Sequence, residues 1–145
     1  MKKLILTFLV FATSICISQN VIPPPNVKPD LASLPTTDEV SLTLKGLSLE
    51  SKITQEQLTA VKQIDLKGEH AAKYKITYYH FKTTYKRTSS VDEFYDNLIL
   101  PKMTQFFADL ETNCKLIYED IVVQNTETGK SYKLAPLTVI VKVEL

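Results

Sequence analysis

The stretch that most restricts how this chain can fold is Tyr74 to Tyr85, Y-K-I-T-Y-Y-H-F-K-T-T-Y. It is dense in Tyr, Phe, Ile and Thr, side chains that suit a pleated, half-buried surface. A period of two sets Tyr74, Ile76, Tyr78 and His80 on one face and Thr77, Tyr79, Phe81 and Thr83 on the other. Aromatics on both faces predict a strand covered on both sides, in the middle of a sheet.

The flanking segments supply the rest of that sheet and its cover. Val40, Leu42 and Leu44 alternate with Ser41, Thr43 and Lys45, the pattern of a half-buried strand. Thr54 to Gln57 has capping-box form, and Leu58, Val61 and Ile64 follow at helical spacing, so a short helix ending near Asp65 is expected. Lys67-Gly68-Glu69 reads as a turn. Ser90 to Glu93 is a second capping-box sequence, predicting a helical turn over 91–98. Pro101 then restarts a helix over about 102–111, with Asn113 as a left-handed residue beyond its end. Lys115 to Val123 is a strand, Thr126 to Gly129 a hairpin turn, Lys133 to Pro136 the return, and Thr138 to Val143 the last strand. The sum is an α+β domain: a small, mostly antiparallel, sandwich-like sheet of about five strands with two helices.

Upstream, the organisation changes. Lys2 and Lys3 precede the apolar run Leu4 to Ile17, which is shorter than the roughly 20 residues a membrane span needs. A charged start and a short apolar run read as a signal peptide over residues 1–18, cut after Ser18. Lipidation of Cys16 is the rival reading, disfavoured because Ile15 is bulky where that processing site needs a small residue. Residues 19–37 carry Pro23, Pro24, Pro25, Pro29 and Pro35 and read as an extended linker. Residues 38–145 then form one domain, enough for a single core. Cleavage removes only Lys2 and Lys3 from the charge count, leaving fifteen Lys+Arg against sixteen Asp+Glu, a net −1. That balance argues against nucleic acid or an anionic membrane surface as partner. The single remaining cysteine, Cys114, allows no internal disulfide.

No catalytic motif is present, and the three glycines, Gly46, Gly68 and Gly129, leave no material for a phosphate-cradling loop. His70 lies in a polar turn and His80 on the aromatic strand. Cys114 follows a helix C-terminus, where the dipole disfavours a thiolate. Asp92, Glu93 and Asp96 are assigned to a helix start, and Glu119 and Asp120 to opposite faces of a strand. No cofactor and no metal are expected. The one notable surface candidate is the set Tyr74, Tyr78, His80, Lys82 and Tyr85, aromatics interleaved with lysines.

The segment C-K-L-I-Y-E-D-I-V-V-Q-N-T-E-T-G-K-S-Y-K-L-A-P-L-T-V-I-V-K resembles the C-terminal domain of the gliding-motility and type IX secretion protein GldM, a family of Bacteroidota. Lys115 to Ile121 fits the family's K-[IV]-x-[FIY]-x-[DN]-I strand, with Leu116 where the family has Ile or Val. Thr126 to Lys130 matches its hairpin turn, keeping Gly129 and Lys130 but not the proline. Leu134, Pro136 and Leu137 match its L-x-P-[IL] return. The resemblance covers roughly residues 40–145. GldM is a longer chain with a transmembrane helix and further domains, and it works in a motor complex. A chain with a cleavable signal in place of that anchor is expected to be an exported, non-catalytic binding module. Its partners would be proteins of the cell envelope, with self-association open. The alternatives are a secreted small-ligand or glycan-binding protein using the Tyr/Lys strand, and a secreted enzyme using His80 or Cys114.

Overall fold

Twelve residues of β-forming side chains from Tyr74 make one of the two longest elements among the described residues, and it sits in the middle of the main sheet. In this computed structural model, residues 27–48, 52–85, 88–111 and 113–143 are described. The signal stretch, Cys16, the proposed cut at Ser18 and the prolines at 23–25 lie outside them. In chain order the elements are β1 (Ser41–Leu44), β2 (Ile53–Thr54), α1 (Gln55–Ala60), β3 (Ile64–Lys67), β4 (Tyr74–Tyr85), β5 (Thr88–Phe94), α2 (Pro101–Ala108), β6 (Cys114–Asn125), β7 (Ser131–Lys133) and β8 (Leu137–Lys142). The main sheet runs β2-β8-β6-β4-β5, with β7 also on β6, and β1 and β3 form a separate antiparallel pair. All of these pairings are antiparallel except β2 with β8. The α+β class with two helices and mostly antiparallel open sheets is the one the pattern called for, and β4 is central, between β5 and β6.

One face of the main sheet is packed under the two helices and the β1–β3 pair. Tyr79 and Phe81 from β4, Phe94 from β5, Leu116 and Tyr118 from β6 and Val139 and Val141 from β8 join Leu58 of α1 and Met103 and Phe107 of α2 in one buried cluster. Phe81 meets Phe107 edge-on at 6.0 Å and Tyr79 stacks on Phe94 at 4.9 Å, arrangements favourable beyond their buried area. The capping box of α1 is made: Thr54 Oγ1 accepts from Gln57 N at 3.2 Å, and Gln57 Oε1 accepts from Thr54 N at 3.0 Å. Gly68, at φ +135°, sits where a Cβ would come within 2.5 Å of the Glu39 carbonyl oxygen, so only glycine fits this turn.

Four local expectations are corrected. The first helix stops at Ala60, and Ile64 opens β3, because Leu44 and Leu42 of β1 pair with Ile64 and Leu66. The Ser90–Glu93 sequence caps no helix: residues 88–94 are β5, since Val91, Phe94 and their neighbours pair along the exposed side of β4. Asn113 is not the residue just beyond the second helix: α2 closes at Ala108 with Asp109 as its C-cap, and Asn113 Oδ1 accepts from Val143 N at 3.0 Å. The fourth concerns which face each β4 side chain takes. The β4–β6 ladder runs Ile76 to Val123, then Tyr78 to Val122, then His80 to Glu119. One extra residue, Thr77, is spliced into β4, and one extra residue, Asp120, into β6. Asp120 takes φ +51°, the left-handed region that Asp tolerates better than most residues. Each bulge shifts its strand's alternation by one. Tyr74, Ile76 and Val123 therefore share the covered face with Tyr79, Phe81 and Ile121, while Tyr78, His80, Lys82 and Val122 take the outer face.

Candidate functional site

The outer face is the part of the molecule that concentrates polar side chains. His80 on β4 lies opposite Glu93 on β5 and Glu119 on β6. The bulge at Asp120 overturns the expectation that Glu119 and Asp120 point apart. Glu119 approaches Lys82 at 4.0 Å and Asp120 meets His80 at 3.1 Å, and Lys82 and His80 share a face. Two consecutive carboxylates thus serve the same surface.

Around His80 the contacts form a connected chain. The Tyr78 hydroxyl lies 2.6 Å from Nε2, Glu93 Oε1 3.2 Å from Nε2, and Asp120 Oδ2 3.1 Å from Nδ1. With Nδ1–H donating to Asp120, a neutral ring leaves Nε2 to accept from Tyr78, whereas protonation turns Nε2 into a donor toward Glu93. Glu93 also takes Lys28 Nζ at 2.8 Å and the Tyr95 hydroxyl at 3.1 Å. Lys28 first, then His80, hold its carboxyl down to about 2. Lys133 Nζ, 3.0 Å from Asp120 Oδ1, is the main reason that carboxyl also titrates low, with His80 adding to it. Burial pushes the Tyr78 phenol up.

This cluster fastens the last part of the proline-rich segment. Lys28 is bound to Glu93 on β5, Thr37 N donates to the Lys133 carbonyl at 3.1 Å, and Lys133 N donates to the Pro35 carbonyl at 2.8 Å. Thr36 bridges to Lys133 in parallel sense. From Lys28 to Thr36 the chain crosses the outer face from β5 to β7, with Pro29, Leu31 and Leu34 half-buried. Residues 28–37 are therefore bound to the sheet, and they bend through a turn at 31–33, where Ser33 N donates to the Asp30 carbonyl at 3.3 Å, instead of running extended throughout.

The candidate set divides. Tyr78, His80 and Lys82 come together on the outer face. Tyr74 does not: it belongs to the covered side, donating to Glu39 Oε2 at 2.8 Å and lying edge-on to Tyr132. The side chain of Tyr85 lies outside the described residues. Tyr78 is 1% exposed and Tyr79 and Phe81 are buried, so β4 offers no stacking platform among its described aromatics. His70 is exposed in its turn, and Cys114 is buried, its thiol pushed up by that burial. Asp92 and Asp96 start no helix: Asp92 pairs with Lys102 at 2.9 Å, and Asp96 Oδ1 accepts from Leu98 N at 2.9 Å. Residues that spacing alone did not single out are Lys28, Tyr95, Asp120 and Lys133. The first and last are brought in from distant segments, and Asp120 depends on a bulge.

A tyrosine–histidine–aspartate chain has the outline of a proton relay. Here the phenol is buried, and that burial raises its titration. No group of three or more His, Cys, Asp or Glu among the described residues is placed to hold a metal ion. No helix among them is long and apolar enough to cross a membrane. Beyond the cluster the outer face is open: Val91 is 54% and Ile140 48% exposed, with half-buried Ile117 between them and Lys82 and Lys115 beside it.

No family model matches this chain, and no curated protein matches it.

Proposed function

We propose that this chain is an exported, non-catalytic protein-interaction module of the bacterial cell envelope, accessory to gliding and type IX secretion machinery and related to the C-terminal domain of GldM. The observation that carries this reading is the open half of the outer face. Exposed Val91 on β5 and Ile140 on β8 share it with half-buried Ile117 on β6, and they are interleaved with Lys82, which pairs with both Val91 and Ile117, and Lys115, which pairs with Ile140. A sheet face that mixes exposed apolar side chains with lysines suits a protein surface better than a small solute. The interleaved lysines favour a partner that presents acidic residues among apolar ones.

The test is recovery of partners from envelope extract, with the wild-type protein compared against the double variant Val91→Asp, Ile140→Asp. Both positions are exposed, so the variant keeps its fold by circular dichroism. Envelope proteins retained by the wild type and lost by the variant support the proposal; identical eluates sink it. Mass spectrometry of the exported protein checks the leader separately: Gln19 as first residue is expected, and a lipid on Cys16 refutes it.

A further inference from the structure

Among the described residues, three buried hydroxyls have no hydrogen-bond partner: those of Tyr79, Thr83 and Tyr118. Such groups are uncommon and each costs about 1–3 kcal/mol relative to a partnered one. Thr83 differs from the two tyrosines in lining a cavity. The cavity holds about 100 Å³ between β4, β5 and α2, on the side of the sheet opposite the His80 cluster. Its apolar walls are Phe81, Met103 and Phe106, and its polar groups are Thr83, Ser90, Asp92 and Lys102. Two larger hollows, about 500 Å³ each, lie by Gln55 and Ala108 and by Thr36 and Pro136, and neither is lined by an unpartnered buried polar group.

We propose that this cavity binds a small neutral group carrying one hydrogen-bonding head, a carboxamide or an alcohol, on a short carbon stem. Size sets the first limit. The volume is about three times a water molecule's share of the liquid, at roughly 30 Å³ each, so it takes a group the size of acetamide or a single short side chain. Charge sets the second. Asp92 and Lys102 are joined at 2.9 Å, and Lys102 also lies 5.5 Å over the Phe94 ring, so each charge is already answered and an ion gains nothing. The head group is specified by Thr83, which is 3% exposed. A 120° step in χ1 carries its hydroxyl to a neighbouring staggered position, and the hydroxyl gives up no bond in turning toward a ligand.

The group has two sources. It can be a free molecule, or a side chain on an extended segment that pairs with β5. That strand is the sheet edge, and its inward-facing Ser90 and Asp92 line the cavity. The inference is independent of the outer-face partner proposed above.

The test is titration of the full chain with acetamide, followed by NMR of the Met103 methyl and Ser90 amide. A saturable shift in the millimolar range is expected. Thr83→Val should weaken it at least fivefold, and Thr83→Ser should retain it. A capped pentapeptide with a central Asn flanked by valines forms the second arm. Tighter binding than acetamide, with slowed hydrogen exchange along β5, identifies a partner's strand as the source. Peptide binding no tighter than acetamide identifies a free molecule, and either result supports the site. Shifts that never saturate with either probe, or equal binding by Thr83→Val, overturn it.

Discussion

Replacing Tyr118 by Phe removes one oxygen from the middle of the core, and it should make the protein more stable. Tyr118 is fully buried, with its ring 5.3 Å from Phe81 and 5.9 Å from Tyr79, and its hydroxyl has no partner in the protein. Burial pushes the phenol far above its ordinary titration range, so it is neutral at any working pH. Deleting an unpartnered buried hydroxyl returns about 1–3 kcal/mol. Against this stands the void left behind. At about 24 cal/mol per Å³, a hole of roughly 15 Å³ costs about 0.4 kcal/mol. The net expectation is a gain of about 1–2 kcal/mol. For a domain of this size, that corresponds to a rise in Tm on the order of 5–15 °C. Urea unfolding read by circular dichroism supplies the free energy, and an unchanged m-value confirms that the unfolded state is the same. Tyr74→Phe is the control of opposite sign. Its hydroxyl donates to Glu39 at 2.8 Å, so its removal should destabilise by about 0.5–1.5 kcal/mol. A Tyr118→Phe protein less stable than wild type by more than about 0.5 kcal/mol would refute the reasoning, because it would mean that the hydroxyl is well bonded.

The Glu93 carboxyl titrates near 2 in the folded chain against an ordinary 4.5, so its stabilising contribution is complete above about 4.5 and disappears as pH falls through 2. Glu93→Gln should therefore lose stability relative to wild type at pH 7 and match it at pH 2; a deficit constant over that range, by urea melts at each pH, contradicts the assignment. Gly68→Ala combines a left-handed φ with contact on the Glu39 carbonyl, and a loss above about 2 kcal/mol is expected by chemical denaturation, with a neutral result counting against the turn geometry. Cys114, buried with its thiol pushed up, should react with a chromogenic disulfide reagent only at the rate of opening of the fold, and promptly in denaturant; fast reaction of the native protein would place it at the surface.

Much of the architecture was written in local patterns. The Val40–Leu44 alternation, the Thr54–Gln57 box, the turn at Gly129 and the β-forming density of 74–85 each act over a few residues, and each is found where its pattern lies. The failures share a cause. Ser90-Val91-Asp92-Glu93 satisfies a helix-start pattern, yet Phe94 gains more by stacking on Tyr79, and pairing with β4 overrides the local preference. Ile64 continued a helical spacing, but it is opposite Leu44. The His80 cluster was legible only in part. Tyr78, His80 and Lys82 share a strand, so a period of two brings them together. Asp120 joins them only through a backbone turn that no spacing rule anticipates, and Lys28 from the proline-rich segment and Lys133 from β7 arrive through tertiary contacts.

The bulges at Thr77 and Asp120 also govern how the chain can change in length. Each adds one residue to one of two neighbouring strands, and the additions cancel, so the ends of β4 and β6 stay aligned although their middles are offset. Deleting Thr77 alone would remove one bulge and leave the other, shifting the ends of β4 and β6 by one residue against each other; deleting Asp120 alone would shift them the opposite way. Removing both would leave a regular ladder of shorter strands with every core residue still facing the core. Gaps in related chains should therefore occur at these two positions together, forty-odd residues apart in sequence yet behaving as a single unit of insertion and deletion.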